Sequence, residues 1–507
     1  MASRRDELNA YTFAKRRMLA AFVQPSATGS EENAPRPLRS VVPSVIIAVV
    51  ILAAFGAWGM IKPTAPQDWD TPGEKVIIAS DSTTRYVVLK TDGKVQLHPV
   101  LNMASAKLLL DPDKGEVIKV DESVLDNGDI PHGVTIGIPY APDRLPDKDE
   151  AKKDKRWAVC QRPAGKESGT SIQKAAFVFA SSDKGYRRID ASGRLKGGEV
   201  LYVQGPDKIL YLVDARGWAY PLDDEQGMLS SLLGENPQPQ QVSKEWLATL
   251  HLGDKIGYPT IEGAGMPANV GGQLDEDASK VGTVLKASVA GADQFYVVLR
   301  SSVAPVSDFM AQLLLGDSAL VSVNPNGQPR SVNRGAITAS TTPYGGDKKW
   351  PENQPKRVND SGAQSGATNT ICNVLRSVDG NSGAMTLSTW AGTAFPAALP
   401  TGSSSAYVTP GSGQLFREFT GSNPTSGPVF LVTDTGLRYV LQANGDSSTE
   451  GSCVGGTSKN KEQQSQEARQ RLGYENVKPD PIPDVWSRFL PTGPGLSTAA
   501  ACQPQGS

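Results

Sequence analysis

Histidine is nearly absent from this 507-residue sequence, which holds only His98, His132 and His251. No Cys-x-x-Cys pair occurs, and no histidine stands at a spacing that would complete a zinc site. Neither a Gly-x-Ser-x-Gly elbow nor a His-Glu-x-x-His helix is present, so a hydrolase would lack its usual nucleophile or metal. A phosphate-binding loop is missing as well. Its nearest relative, AGKES at residues 164–168, lacks the earlier glycine of the cradle and carries Glu167 where a hydroxyl residue belongs. GGTSK at residues 455–459 has the wrong order. Asp223 and Asp224 are adjacent, so their carboxyls diverge rather than face each other across a glycosidic bond. Basic surplus is also wanting: 51 Lys and Arg against 53 Asp and Glu give a net charge of −2, which excludes nucleic acid as a partner. The expectation is a protein with no catalytic residue, no cofactor and no metal.

Glycine (51) and proline (37) are abundant, and helix-forming runs are scarce. The fold class expected is mainly β with α (α+β), divided among several modules because the chain is too long for one ordinary core. Cys160, Cys372, Cys453 and Cys502 are scattered, and in a segment outside the cytoplasm they read as two disulfides. The alternative is four unrelated buried thiols.

One long apolar run stands out. Residues 40–61, SVVPSVIIAVVILAAFGAWGMI, carry no charge and as a helix span about 33 Å, enough for a hydrocarbon core of roughly 30 Å. Pro43 lies near the start of this run and Trp58 near its far end. The run is too long, and begins too late, for a cleaved signal peptide. Arg4, Arg5, Lys15, Arg16, Arg17, Arg36 and Arg39 precede it, whereas Lys62 is followed by Asp68, Asp70 and Glu74. That asymmetry places the amino terminus in the cytoplasm and the bulk of the chain outside the cell membrane, where disulfides persist. Ahead of the span, Leu8, Tyr11, Phe13, Met18, Leu19 and Phe22 alternate with basic residues in a short amphipathic helix. Three roles fit it: lying on the inner leaflet, docking on a cytoplasmic partner, or setting topology.

Outside the membrane, four stretches resemble one another: residues 85–110, 209–234, 295–317 and 429–442. Each begins with a β-branched strand, turns at a small polar pair or a glycine, and starts a second strand. Gly93, Gly217 and Gly436 occupy the turn, where positive φ is expected. The first three copies continue into a short helix with i, i+3, i+4 apolar spacing, and a unit this small needs neighbours to bury its apolar face. Strand-like segments surround Cys160 and again Cys372, which suggests a central β-domain built from two distant stretches and fastened by Cys160–Cys372. Cys453–Cys502 would then staple the tail to the fourth repeat. The division expected is a cytoplasmic tail 1–39, a transmembrane helix 40–61, a linker 62–75 and repeat 1 at 76–146. The central domain follows at 147–207, then repeat 2 at 208–282, repeat 3 at 283–343 and a linker or insertion at 344–369. The second part of the central domain takes 370–427, and repeat 4 with the tail takes 428–507.

Several segments in this order resemble the EccB component of ESX-type (type VII) secretion systems of actinobacteria. They are the tail ahead of one span, TDGKVQLHPVLNMASAKLLL with its exit IGIPYAPDRLP, VSKEWLATL, VGTVLKASVAGADQFYVVLRSSVAPVSDFMAQLLL and LVTDTGLRYVL. The resemblance covers nearly the whole chain. It implies a structural subunit of an inner-membrane complex whose partners are an FtsK-like ATPase (EccC), a multispan subunit (EccD), EccE where present, and further copies of itself. It also implies an elongated exterior region, a central β-domain flanked by four repeats related to a phage-lysin wall-binding fold. The family's central disulfide falls on Cys160 and Cys372. A second role, anchoring to peptidoglycan through the repeats, rests on that fold relationship. ATPase activity has been proposed for the family, but no motif here would carry it.

Overall fold

The structure is a computed structural model that describes residues 3–23, 37–61, 65–91, 93–164, 172–223, 226–400, 405–442, 453 and 460–505. It divides into two units, Met1–Gln67 and Asp68–Ser507. The segments 164–168 and 455–459 that approach a phosphate loop lie almost wholly outside the described residues, as does Asp224.

Among its described residues the first unit holds two helices. In Arg4–Val23, the 100° step per residue puts Leu8, Tyr11, Met18, Leu19 and Phe22 on one side, with Lys15 among them and Phe13 opposite. The second helix, Pro37–Ile61, is apolar all round from Val41 to Trp58, and one such helix near the amino terminus is long and apolar enough to cross a membrane. It starts earlier than the apolar run. Pro43 therefore stands inside the helix rather than at its start, where it removes one i→i−4 hydrogen bond.

Among its described residues the second unit contains five sheets, four of them built alike. In the first repeat the strand Lys75–Ala79 pairs antiparallel with Arg85–Thr91, which forms a hairpin with Lys94–Val100. The helix Met103–Leu109 follows, capped by the Asn102 side chain, and Glu116–Val120 returns parallel to the first strand. The one-turn helix Glu122–Leu125 closes the unit. The second repeat repeats this order with Glu199–Gln204, Leu210–Asp214, Trp218–Leu222, helix Gln226–Leu233, the two-residue strand Gln240–Gln241 and the turn Lys244–Leu247. The third uses Val284–Val289, Ala292–Val298, Val303–Val306, helix Asp308–Gly316 and Arg330–Ser331. The fourth uses Gly413–Phe419, Val429–Thr433, Arg438–Val440, helix Lys461–Arg471, Asp480–Pro483 and the turn Asp484–Ser487. Gly93, Gly217 and Gly436 all adopt φ near +80° in the hairpin turns, a region that favours glycine. Mixed sheets and short helices make this an α+β fold.

The fifth sheet is central. Its order is Met385–Gly392, Thr370–Val378, Arg156–Pro163, Ile172–Phe179 and Ala406–Val408. Cys160 and Cys372 are directly opposed on antiparallel strands, fully buried and bonded, with Cα atoms 4.0 Å apart. Cys453 and Cys502 form the second disulfide.

Sheet membership differs from the expected grouping. Each repeat begins one strand earlier than its recognisable hairpin, so Glu199–Gln204 and Gly413–Phe419 join the second and fourth sheets instead of the central one. Residues 344–369 are not merely a linker: Lys356–Arg357 adds a strand to the second sheet, and Asn359 is buried. The Asn359 amide accepts from Tyr202 N at 2.8 Å and donates to Tyr202 O at 3.1 Å, standing in for a strand partner. The polar stretch 147–156 holds the helix Lys148–Lys152 and a buried Lys155, paired with Glu150 at 2.8 Å.

Candidate functional site

With no catalytic group expected, the functional geometry to seek is that of the joints between modules. Repeats 2 and 3 meet through their helices. Met228, Leu229 and Leu232 of one share an apolar cluster with Phe309 and Leu313 of the other. Two hydrogen bonds cross the same joint: Gln312 Nε2 donates to Ser231 O at 2.7 Å, and the Tyr258 hydroxyl donates to Gly316 O at 2.8 Å. Repeats 1 and 4 meet differently. Leu108 and Leu109 of repeat 1 share a cluster with Leu415, Leu431 and Leu472 of repeat 4. The tail runs back onto repeat 1, where Gln505 N donates to Thr135 O at 2.9 Å. Arg471 donates to Leu110 O across that joint.

Both pairs are seated on the central sheet by a tryptophan. Trp246 lies on the turn after the fourth strand of repeat 2, and its indole N–H donates to Val159 O at 3.2 Å. Asn373 of the central sheet donates to Trp246 O at 3.1 Å and to the Thr249 hydroxyl at 2.6 Å. Trp486 holds the equivalent place in repeat 4, is equally buried, and shares one apolar cluster with Trp246. Its indole N–H finds no acceptor among the described residues. The pair is legible as VSKEWLATL against IPDVWSRFL, which share a tryptophan four residues before a leucine. Of the two, only VSKEWLATL figures in the resemblance to the EccB family.

A polar chain crosses from the central sheet to repeat 4. The Trp157 indole N–H donates to Gln414 Oε1 at 2.8 Å, and Gln414 Nε2 donates to Asp480 Oδ2 at 2.6 Å. Burial pushes the Asp480 carboxyl up to about 6, against the opposing pull of Gln414. Glu150 goes the other way. Burial raises it, but hydrogen bonds from Lys155, Lys153 and Ser412 outweigh that and hold it at about 2.

The sequence-derived candidates are structural in their contacts. The His98 ring is buried, with Nδ1 2.9 Å from Val134 O and Nε2 3.1 Å from the Thr91 hydroxyl. His132 faces Leu125 O and Asp126, and His251 faces Met385 O while its ring packs on Trp218. Asp223 is paired with Lys255. Among the described residues no three His, Cys, Asp or Glu side chains gather in a way that would hold a metal.

A family described as "Type VII secretion system ESX-1, transport TM domain B" matches residues 1–506. The chain belongs to the EccB family. Among curated EccB proteins it is 25% identical over 529 residues to the "ESX-3 secretion system ATPase EccB3" of Mycobacterium tuberculosis, covering 98% of this chain and 88% of the relative. It is 28% identical over 326 residues to the "ESX-2 secretion system ATPase EccB2" of the same organism, covering 62% of this chain and 59% of the relative. Its fold is similar to that of a chain in an intact ESX-5 inner membrane complex, with TM-score 0.57, 22% identity and coverage of 100% and 96%. An EccB3 dimer from the ESX-3 core complex gives TM-score 0.55 at 21% identity, covering 84% of this chain and 99% of that one.

Proposed function

We propose that this EccB-family chain is a structural subunit of the inner-membrane core complex of an ESX type VII secretion system. Its exterior region supports assembly of the translocation machine. The observation that carries this reading is the single family match over residues 1–506, which takes in the apolar helix and all four repeats together. In this reading the amino-terminal helix is cytoplasmic, Pro37–Ile61 spans the membrane once, and the five sheets lie outside. Its partners are an FtsK-like ATPase (EccC), a multispan EccD, EccE where present, and copies of itself. The division into a central domain and four repeats, with the early boundaries described above, belongs to the same proposal.

Although its curated relatives carry "ATPase" in their names, the chain is proposed to hydrolyse no nucleotide itself. The test is purification from native membranes in a mild detergent through a carboxy-terminal tag, followed by native-gel sizing and mass spectrometry. A large assembly containing an FtsK-like ATPase and a multispan protein is expected. A lone protein or small homo-oligomer carrying wall fragments would overturn the scaffold reading in favour of peptidoglycan anchoring. ATP turnover by the chain freed of the FtsK-like subunit would overturn the non-enzyme reading.

A further inference from the structure

The turns Lys244–Leu247 and Asp484–Ser487, equivalent in their two repeats, flank a cavity of about 470 Å³ that Ala175 of the central sheet also lines. That is within the range of small-ligand sites, roughly 300–1,000 Å³. The same face of each turn lines it: Glu245 and Ala248 from repeat 2 correspond to Val485 and Arg488 from repeat 4. A carboxylate on one turn and a guanidinium on the other line the cleft without pairing with each other. Glu245 is held by Lys174 of the central sheet at 2.8 Å, and Arg488 by Asp484 of its own turn at 2.7 Å. Lys244 has no ion-pair partner among the described residues.

We infer that this cleft binds an acidic peptide segment of a partner protein, with carboxylates on Lys174, Lys244 and Arg488 and an apolar side chain against Val485 and Phe489. Two observations select that occupant. The rim sets Lys174, Lys244 and Arg488 against Glu245 and Asp484, a local excess of one positive charge carried by Lys244, in a chain whose overall charge is −2. The floor is apolar, since Val485 and Phe489 are half-buried and pack on the cluster that holds Trp246 and Trp486. An inorganic anion has no use for that floor, and an uncharged peptide has none for the rim. Arg488 and Lys244 are exposed, so their donors reach a ligand without rearrangement of the core. This inference does not depend on the secretion reading, because it stands on the geometry of the cleft alone.

The test uses the full chain in a neutral detergent and a fluorescein-labelled acetyl-Glu-Glu-Phe-Glu-Glu-amide, followed by anisotropy at low ionic strength. Saturable binding is expected, weakened at least about tenfold by Lys244→Glu with Arg488→Glu. The exposed Ala248→Trp fills the cleft and abolishes binding while leaving the unfolding midpoint in place. A control, Lys208→Glu, outside the cleft, changes nothing. No saturable binding overturns the inference, as does equal binding of the Lys-Lys-Phe-Lys-Lys analogue or indifference to Ala248→Trp. Competition by a purified peptidoglycan stem peptide at equal or lower concentration overturns the partner-protein source and assigns the cleft to the cell wall.

Discussion

Repeats 2 and 3 are joined by apolar helix faces, whereas repeats 1 and 4 add a disulfide, a returning tail and buried charge to theirs. The module is the same in both pairs, so the difference lies in the segment after its third strand. In repeats 2 and 3 that segment is a helix rich in leucine and methionine, Gln226–Leu233 and Asp308–Gly316, each able to bury a face against the other. In repeat 4 it is Lys461–Arg471, KEQQSQEARQR, which is too polar to do so. Of its residues only Ala468 and Arg471 are buried, and the Arg471 guanidinium reaches Leu110 O of repeat 1. The apolar part of that joint comes instead from strands, turns and the tail, such as Leu415, Leu431, Leu472 and Leu496, and covalent and tail contacts add to it. Cys453–Cys502 closes a loop of 49 residues around that helix.

The largest effect is expected at the apolar joint. Phe309 is fully buried among residues of both repeats, its ring 6.1 Å from that of Trp350. Phe309→Ala should cost about 3–5 kcal/mol, seen as a lower urea midpoint in tryptophan fluorescence. A reductant should leave that midpoint of the variant no lower than it leaves the parent's. A variant within experimental error of the parent would mean that the helices touch without holding the pair together.

The next effect belongs to the other pair. Replacing Cys453 and Cys502 together by Ser should remove at most roughly 4 kcal/mol, the loop-closure contribution for 49 residues. Hydrogen exchange should rise in Thr498–Ala501 and Met103–Leu109, which pack together, and remain unchanged in Gln226–Leu233. Equal exchange in both pairs would erase the distinction. The central Cys160–Cys372 bridge spans 212 residues and is shared by both pairs, so it does not separate them.

How far the sequence revealed this arrangement depends on which contacts are local. The apolar run, the hairpin turns at Gly93, Gly217 and Gly436, and the short helices carry local signals, and the structure shows each of them. What local pattern cannot carry is the first and last strand of each repeat. Gln240–Gln241 and Arg330–Ser331 are two-residue strands without alternation, parallel to a strand well upstream. Glu199–Gln204 reads plainly as a strand, but nothing in it says which sheet it joins. Polarity misled at Asn359, which lies in the expected linker, and Lys155 is a second polar residue in the core. Both are buried because partners satisfy them, Tyr202 backbone for one and Glu150 for the other. The joints were the least legible part, since Trp246 and Trp486 resemble ordinary core residues until their equivalence is seen.

The smallest effect tests whether charge separates the joints. Burial raises the Asp480 carboxyl to about 6 from an ordinary 3.8, so its favourable contribution is complete below about pH 3.8 and is lost as pH rises through 6. Near pH 7 it therefore costs on the order of 3 kcal/mol. Gln414, Asp154, Lys155 and Lys478 are the groups acting on it. Glu150 has the opposite sign. Held at about 2, it contributes above about pH 4.5 and ceases to as pH falls toward 2. The parent should thus lose stability on both sides of a window near pH 4. Asp480→Asn keeps an acceptor for Gln414 Nε2 and removes the ionisation, so it should gain about 3 kcal/mol at pH 7 and nothing below pH 4. Its curve should fall on the acid side alone. A difference between variant and parent that does not change with pH would show that Asp480 ionises freely. The joint between the central sheet and repeat 4 would then be no more sensitive to charge than the apolar one between repeats 2 and 3.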